Sequence, residues 1–576
     1  MTDNEVRVWA QDSMSRIFPH QTAPRHGGRH IVLRAARNEI EDFQVGVCGP
    51  PRRLDALRAT ASPLKGPTGA VIPPEQIDIL FADYVPVHWH SPDCAPDDLE
   101  GRAPGFYPDP LLPELWRGVN RVQFPGTVSL WVRLRIPAEA AAATYRGEIE
   151  IAWEGGGDTV TVELHVWPFA LPRKSHLLMT NWFLPGPILQ FHRLQPMTEE
   201  FWQVIELYAR NLADHRQNVI LTPFTALSGN GELQDGRIRA QLVDVCQTGP
   251  DAYAFEFSTF DRWVECFFRH GFEWIEGGHL AGASEHPVLP MVRQSGRDQA
   301  QRLPFTSTRE PEYRTYLGQF LRALRAHLTD RGWLDRFMLH LSDEPHGDQF
   351  EAYTGLSKFV KSIVPEIPLI DAMGAPEYAP YADHPVPIEH RYEEFVQASG
   401  KPQEQVWFYY CCAPTGPWPN RFLDYPLIRV RIFTWVAFRY GIPGFLHWGL
   451  NHWGWHRPFY REEVYNPYDN TTGGTLQAGD SYVLYPPRMP SQSHAPVDSI
   501  RWEIIRKAME DYEYLYLLRE RVAAGSGAAA DLERGAALLR ELEEEVVPDM
   551  ADYTRDARYL ASFRRRVGDA IARMTP

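Results

Sequence analysis

The pattern of apolar and polar positions changes its period once, near Lys174. Before that point, runs such as "HIVLRAARNEIEDFQVGV", "GTVSLWVRLRI" and "YRGEIEIAW" alternate apolar with polar residues and are separated by Pro, Gly and Asp clusters. Period-two alternation in short runs predicts an antiparallel β-sandwich over residues 1–174. The segment "WPFALPRKSH" then places Pro168 and Pro172 around a polar turn and marks a domain boundary.

Beyond it, short apolar runs alternate with helically spaced ones. "HLLMTNWF", "NVILTPF", "FEWIEGGHL", "RFMLHLSDEP", "IPLIDAMG", "QVWFYYCC" and "GIPGFLHWG" read as strands. Between them, "EEFWQVIELYARNLADH", "FDRWVECFFRHG", "YRTYLGQFLRALRAHLTDRG", "YTGLSKFVKSIV" and "LIRVRIFTWVAFRY" read as helices. Repeated strand-then-helix units predict a (β/α)8 TIM-like barrel over residues 175–523, with a doubly wound open sheet as the alternative. The helical remainder, 524–576, is expected to pack on the barrel as a C-terminal extension.

Composition narrows the function class. The 576 residues carry 74 acids against 58 bases, a formal charge of −16, and no dense basic stripe, which argues against a nucleic-acid partner. The beginning "MTDNEVRVWAQDSMSRIFPH" has no basic segment leading into an apolar run, and no apolar stretch is long enough to cross a bilayer. A cytoplasmic protein with no membrane partner is expected. The six cysteines lack C-x-x-C spacing, so neither a zinc site nor a disulfide framework is predicted, and the adjacent Cys411 and Cys412 read as buried thiols. The 18 Trp exceed what ordinary packing needs.

"FMLHLSDEPH" combines an apolar strand with two consecutive acids, Asp343 and Glu344. Ionised carboxylates are costly to bury. On a regular strand Met338, His340, Ser342 and Glu344 share one face and Leu339, Leu341 and Asp343 the other. Pro345 must end the strand, which puts both acids at the C-terminal rim, where barrel enzymes keep catalytic groups. A bend would be needed to turn Asp343 into the same cavity. A capped turn with solvated acids is the structural alternative. A metal set of His340, Asp343 and His346 is awkward because the first two lie on opposite faces.

"GFLHWGLNHWGWH" gathers His447, Trp448, Asn451, His452, Trp453, Trp455 and His456, flat apolar faces beside hydrogen-bonding groups that suit pyranose rings. Interior packing is the competing explanation. Weaker rims occur at Asn181 and Trp182, at His279 and at Asp371, whereas His215 and Arg216 suit a helix end.

In their order along the chain, "RNEIEDFQVGV" (Arg37 to Val47), "YPDPLLP" (Tyr107 to Pro113), "SDEP" (Ser342 to Pro345), "LYPPR" (Leu484 to Arg488) and "SIRWEIIRKAMEDYEYL" (Ser499 to Leu515) resemble glycoside hydrolase family 123, β-N-acetylgalactosaminidase-like proteins, over nearly the whole length. The resemblance implies a sandwich followed by a catalytic barrel that cleaves a terminal β-linked N-acetylhexosamine, N-acetylgalactosamine favoured, by substrate assistance. It implies Glu344 as general acid/base and Asp343 as the group that orients the 2-acetamido group. That division suits the chemistry, because a sugar whose own amide oxygen attacks C1 needs one acid and one orienting carboxylate but no enzyme nucleophile. The neighbouring Asp343 charge is expected to raise the pKa of Glu344.

The expected partner is an oligosaccharide or glycoconjugate, and a homo-oligomer is compatible with the sequence. No cofactor or metal is implied. Two other readings stay open: a sugar-binding or assembly protein without turnover, and a glycosidase acting on plain hexosides with Asp371 as nucleophile.

Overall fold

The computed structural model describes residues 5–25, 27–54, 56–114, 126–224, 241–294, 300–453, 466–469, 471, 476–488 and 493–575. The N-terminal region forms two sheets. One runs in the order Arg7–Asp12, Glu39–Cys48, Thr127–Ile136, Ile77–Val87, Gly105–Leu112, and the other His30–Arg37, Gly156–Ala170, Thr144–Trp153, Leu64–Lys65, Val71–Ile72. Alternate residues of both sheets, among them Val45, Val47, Leu130, Val160 and Val162, meet in a common core. One pairing departs from the antiparallel expectation: Gly156–Ala170 runs parallel to His30–Arg37. Parallel neighbours need a long crossover, and the intervening strands supply it.

The second region repeats a strand-then-helix unit. Its strands are β1 (Leu178–Asn181), β2 (Val219–Thr222), β3 (Trp274–Gly277), β4 (Phe337–Leu339), β5 (Ile370–Met373), β6 (His384–Pro387), β7 (Phe408–Tyr409) and β8 (Gly444–His447). Helices α1 (Glu199–Asp214), α2 (Ser258–Arg269), α3 (Pro311–Arg331), α4 (Phe350–Ile363), α5 (Tyr392–Ser399), α6 (Phe433–Arg439) and α7 (Ile500–Ala523) interleave with them. Helix starts carry their signals: the Thr198 hydroxyl accepts from the Phe201 N–H, and the Ser499 hydroxyl accepts from the Trp502 N–H.

Parallel ladders join β8 to β1, β7 to β8, β2 to β3, β3 to β4 and β5 to β6. Single parallel bridges join Leu339 to Leu369 and Ile388 to Tyr409, linking β4 towards β5 and β6 towards β7. Between β1 and β2 a side chain takes the place of a ladder: Asn218 Oδ1 accepts from the Met179 N–H at 2.8 Å and its Nδ2 donates to the Leu177 carbonyl at 3.0 Å. Val219, Met338, Ile370, Val386, Trp407 and Leu446 pack together in a cluster of their own. Leu339 and Leu341 belong to the outer core against the helices, as the strand alternation predicts.

Three of the motifs quoted above converge on α7. Its Arg506 pairs with Asp42 and Glu510, Lys507 with Glu41, Arg501 with Asp109, and Glu503 with Arg133. All of these groups are buried, so the acids of the N-terminal sheet and the charges of α7 neutralise one another across the seam between the two regions. The last helix, α8 (Ala557–Arg573), ties into the same network through Arg564 and Asp511 at 2.6 Å. It also meets the N-terminal sheet, where Trp167 Nε1 donates to Asp569 at 3.0 Å. Among the described residues, no helix is long and apolar enough to cross a membrane.

Candidate active site

The strand that opens "FMLHLSDEPH" ends at Leu339, earlier than the proline predicts. The cause is Asp371 on β5, whose Oδ1 accepts from the N–H groups of Leu341 at 2.9 Å and Ser342 at 3.2 Å. A carboxylate thus takes the place of a neighbouring strand just where the acids begin. His340 and Ser342 remain buried, while Asp343 and Glu344 come to the surface.

Glu344 has a φ of 43°, in the left-handed region that glutamate adopts at a cost, and its N–H is fixed on the Ala372 carbonyl at 2.9 Å. This twist breaks the strand alternation that would have sent the two carboxyls to opposite faces. Tyr409, on β7, donates its hydroxyl hydrogen bond to Glu344 Oε1. Burial, and next the Glu344 charge, push the Tyr409 pKa upward, so this phenol stays a donor.

Burial, then the Glu344 charge, push the Asp343 carboxyl up from its ordinary 3.8 to about 7, with His340 pulling the other way. Protein surrounds the group, yet more than a third of its surface meets solvent, so water screens part of this effect and the upward direction is what the site supports. The consequence for stability has a definite sign. The folded state holds this proton more tightly than the unfolded chain, so the carboxyl costs stability as pH rises from about 4 to about 7 and throughout the range above. Asp343→Asn should therefore raise the Tm at pH 8 by more than at pH 4. Equal changes at the two pH values in a thermal melt would contradict it.

Beneath the acid pair lies a buried charge relay that the sequence did not disclose. Glu276, inside β3, accepts from His340 Nε2 at 2.6 Å and from Trp182 Nε1 at 2.9 Å, and also from the Thr180 hydroxyl. His340 Nδ1 faces Asp371 Oδ1 at 3.1 Å, and Tyr353 on α4 donates to Asp371 Oδ2 at 2.7 Å. Burial opposes a charge on His340, but Asp371 and Glu276 carry its pKa up to about 10. Burial also pushes Asp371 upward, which would leave the proton on the acid. Geometry favours the ring: Asp371 Oδ1, the atom facing His340 Nδ1, already accepts from the Leu341 and Ser342 N–H groups, so it stands as an acceptor and His340 is read as an imidazolium.

His279 stands beside it, with ring centroids 4.5 Å from His340 and 5.2 Å from Trp182. Burial and then the His340 charge hold its pKa well below the ordinary value, so it is neutral, and its Nε2 is buried without a hydrogen-bond partner. Ligand atoms of His279, His340 and Asp371 lie within 4.8 Å of one another, a spacing that could hold a cation. Both nitrogens of His340 are already spent on carboxylates, however, and the imidazolium itself fills the cationic place. The set His340, Asp343 and His346 is not assembled: His346 is exposed and its Nδ1 turns to the Glu344 carbonyl at 2.8 Å.

The other expected sugar contacts divide. Trp182, His279 and the half-buried Trp448 stand with the acid pair's strand ends. Asn181 is wholly buried, accepting from Arg421 Nη1 at 2.9 Å and donating to Gln217 at 3.3 Å. Asn451 staples Leu184 through both its N–H and its carbonyl at 2.9 Å, and Trp453 Nε1 donates to the Leu484 carbonyl at 2.8 Å. His447 is buried and its Nδ1 accepts from the Gly449 N–H at 3.0 Å. These residues hold loops in place, as Asp371 does. Trp455 and His456 lie outside the described residues. Glu276, Tyr353 and Tyr409 escaped the sequence reading; an acid in the middle of the short apolar run "WIEG" was the one available signal.

A cavity of about 420 Å³ lined by Glu199, Trp202, Glu206, Arg262, Cys266 and Arg269 lies between α1 and α2, not on the strand-end loops. The chemistry points to the acid pair instead.

No curated protein matches the chain. Among solved structures, a family 123 glycoside hydrolase from Clostridium perfringens, described in terms of glycolipid glycan hydrolysis, superposes with a TM-score of 0.72 at 14% identity, covering 98% of each chain. The two share a fold. A β-glucuronidase from Bacteroides uniformis has a TM-score of 0.29 at 9% identity, covering 88% of this chain and 52% of its own. A termite-gut GH10 xylanase has a TM-score of 0.31 at 9% identity, covering 84% and 99%. Neither of these two bears on this chain. The glycoside hydrolase 123 catalytic-domain model matches residues 182–518. A match over more than half of the 576 residues, beginning at Trp182 and enclosing the acid pair, makes this chain a member of glycoside hydrolase family 123.

Proposed function

We propose that this glycoside hydrolase is exo-acting on a terminal β-linked N-acetylhexosamine, N-acetylgalactosamine favoured, of an oligosaccharide or glycoconjugate. The strands β1 to β8 are read as a (β/α)8 barrel spanning 175–523, between the sandwich of 1–174 and the helical 524–576. The observation that carries the reading is the turn at Asp343 and Glu344, which presents two adjacent carboxyls to solvent beyond β4.

Glu344, oriented by Tyr409, protonates the glycosidic oxygen as the sugar's acetamide oxygen attacks C1. Asp343 accepts the acetamide N–H and offsets the positive charge that develops on the ring formed. The approach of that charge lowers the Asp343 pKa again, so the group is an anion when it is needed. Glu344 then draws a proton from the water that opens the intermediate, with net retention at C1. Trp182, His279 and Trp448 are the residues nearest to hand for the sugar. A plain glycosidase using Asp371 as nucleophile is disfavoured, since both of its oxygens are occupied by His340, Tyr353 and two backbone N–H groups.

Release of nitrophenol from β-glycosides of N-acetylgalactosamine, N-acetylglucosamine, galactose and glucose tests the reading. Turnover is expected on the acetamido sugars alone. Turnover of galactoside or glucoside would defeat the substrate-assisted mechanism, and saturable binding without turnover would favour a binding protein.

A further inference from the structure

We propose that Cys411 and Cys412 are a modification site: neighbouring thiols that a hydroperoxide closes into a reversible disulfide, loosening the hold of Tyr409 on Glu344. The pairing stands apart from the glycosidase reading, while its effect on turnover rests on it.

Adjacent residues of a strand send their side chains to opposite faces. Beyond β7 the chain abandons that alternation, because the Cys411 N–H donates to the Ala413 carbonyl at 2.8 Å and closes a tight turn. Asn420 Nδ2 fixes the same bend, donating to the Cys411 carbonyl at 2.9 Å and the Pro414 carbonyl at 3.2 Å. The two sulfurs thereby meet at 3.7 Å. Neither residue is fully buried, against the expectation for thiols in an apolar run, so the pair is open to a small oxidant. The contact with Cys412, then burial, hold the Cys411 thiol well above its ordinary pKa, so Cys411 keeps its proton and donates to its neighbour. Cys412 is then the sulfur that attacks. Cys266, by contrast, spends its thiol on Glu206 Oε2 at 3.3 Å, a partner that cannot close a disulfide.

The Cys412 sulfur attacks one peroxide oxygen, the O–O bond breaks, and a sulfenic acid and one water result. The Cys411 sulfur then displaces the sulfenic hydroxyl, which leaves with the Cys411 proton as a second water while the S–S bond forms. Two thiols lose two electrons and one hydrogen peroxide gains them. Adjacent Cα atoms lie about 3.8 Å apart, short of the roughly 4.4–6.8 Å of ordinary disulfides, so the bond is strained and a dithiol readily reopens it. Such a bond suits a switch rather than a staple. Closure draws the sulfurs from 3.7 Å to about 2.05 Å. Cys411 packs against the cluster that holds Trp182 and Tyr409 and stands just beyond the end of β7, so the strand end moves with it. Tyr409 is the donor that orients Glu344.

The test treats the full-length chain with hydrogen peroxide, blocks the remaining thiols with iodoacetamide and maps the peptides by mass. The peptide carrying both residues is expected to be lighter by two hydrogens and to bear no alkyl group. Alkylation of both sulfurs, or a sulfinic acid on either, would overturn the pairing. Carbon-13 NMR of protein labelled in the tyrosine rings, with the Tyr409 resonance identified by its loss in Tyr409→Phe, should show that signal shift on oxidation and return with dithiothreitol. An unmoved signal would overturn the coupling to the acid pair. In the same samples kcat/KM on the nitrophenyl β-glycoside of N-acetylgalactosamine should fall about 10²-fold, the cost of a catalytic group misplaced by about an ångström, whereas Cys412→Ser should keep its rate in peroxide. An equal loss in Cys412→Ser would place the damage elsewhere and overturn the switch. The mass and NMR readouts use no substrate and do not depend on Cys412→Ser folding, so they decide the inference even in a protein silent on every glycoside.

Discussion

Glu344→Gln should lower kcat/KM on the nitrophenyl β-glycoside of N-acetylgalactosamine by about 10²–10⁴-fold, the usual contribution of a positioned acid/base. Glutamine keeps the shape and can still accept from Tyr409, so the loss would report the missing proton rather than a collapsed turn. The deficit should depend on the leaving group. A dinitrophenolate departs without protonation, so the first step of the variant should recover on that substrate while the second, which needs a base for water, stays slow. Azide, a nucleophile that needs no base, should then restore turnover and give the β-azide. An unaltered rate in Glu344→Gln, or equal losses on good and poor leaving groups, would remove Glu344 from the acid role.

Arg506→Ala should cost about 3–5 kcal/mol of stability, the range for removing one partner of a buried ion pair. The guanidinium meets Glu510 at 2.7 Å and Glu503 at 3.2 Å, and it also pairs with Asp42 and donates to the Ile40 carbonyl at 2.6 Å. Its loss leaves three buried acids around an emptied space. One of them, Asp42, is already pushed up to about 7, by burial first and against the pull of Arg506. The variant should therefore lose less stability at pH 5 than at pH 8, where each acid must stay ionised without its cation. Thermal melts at the two pH values, with Arg7→Ala as the comparison, check this. Arg7 pairs with Glu5 at 3.3 Å where both are open to solvent, and its removal should leave the Tm unchanged. A small effect in Arg506→Ala would mean that the seam between the sheets and α7 is held by apolar packing instead.

The acid pair was legible because it breaks a local rule. An apolar strand that finishes in two carboxyls and a proline has to border water, and Asp343 and Glu344 do. The motifs at the N- and C-terminal ends were legible as a family signature but not as a device. "RNEIEDF" and "SIRWEIIRKAMEDYEYL" lie more than 450 residues apart in the chain, and only in the folded protein does Asp42 meet Arg506 and Glu41 meet Lys507. Strand β6 was missed for a physical reason: His384–Pro387 contains two prolines, which cannot donate to a ladder and mask the apolar pattern. Only the folded structure shows that burial and the Glu344 charge push the Asp343 carboxyl upward.

The aromatic cluster after β8 shows where residue type stops being informative. Asn451 and Trp453 have the side chains a sugar site uses, yet the fold spends them on Leu184 and Leu484. Periodicity is a property of neighbours along the chain, so the change from period two to strand-and-helix alternation, the helix starts and the exposed acids could all be read from the sequence. Whether a polar group faces substrate or another polar group depends on which strand ends meet, and that follows from packing. Glu276, His340, Asp371 and Tyr353 come from β3, β4's extension, β5 and α4, and they form one relay because ladder register brings those elements together and burial turns their polar groups towards one another.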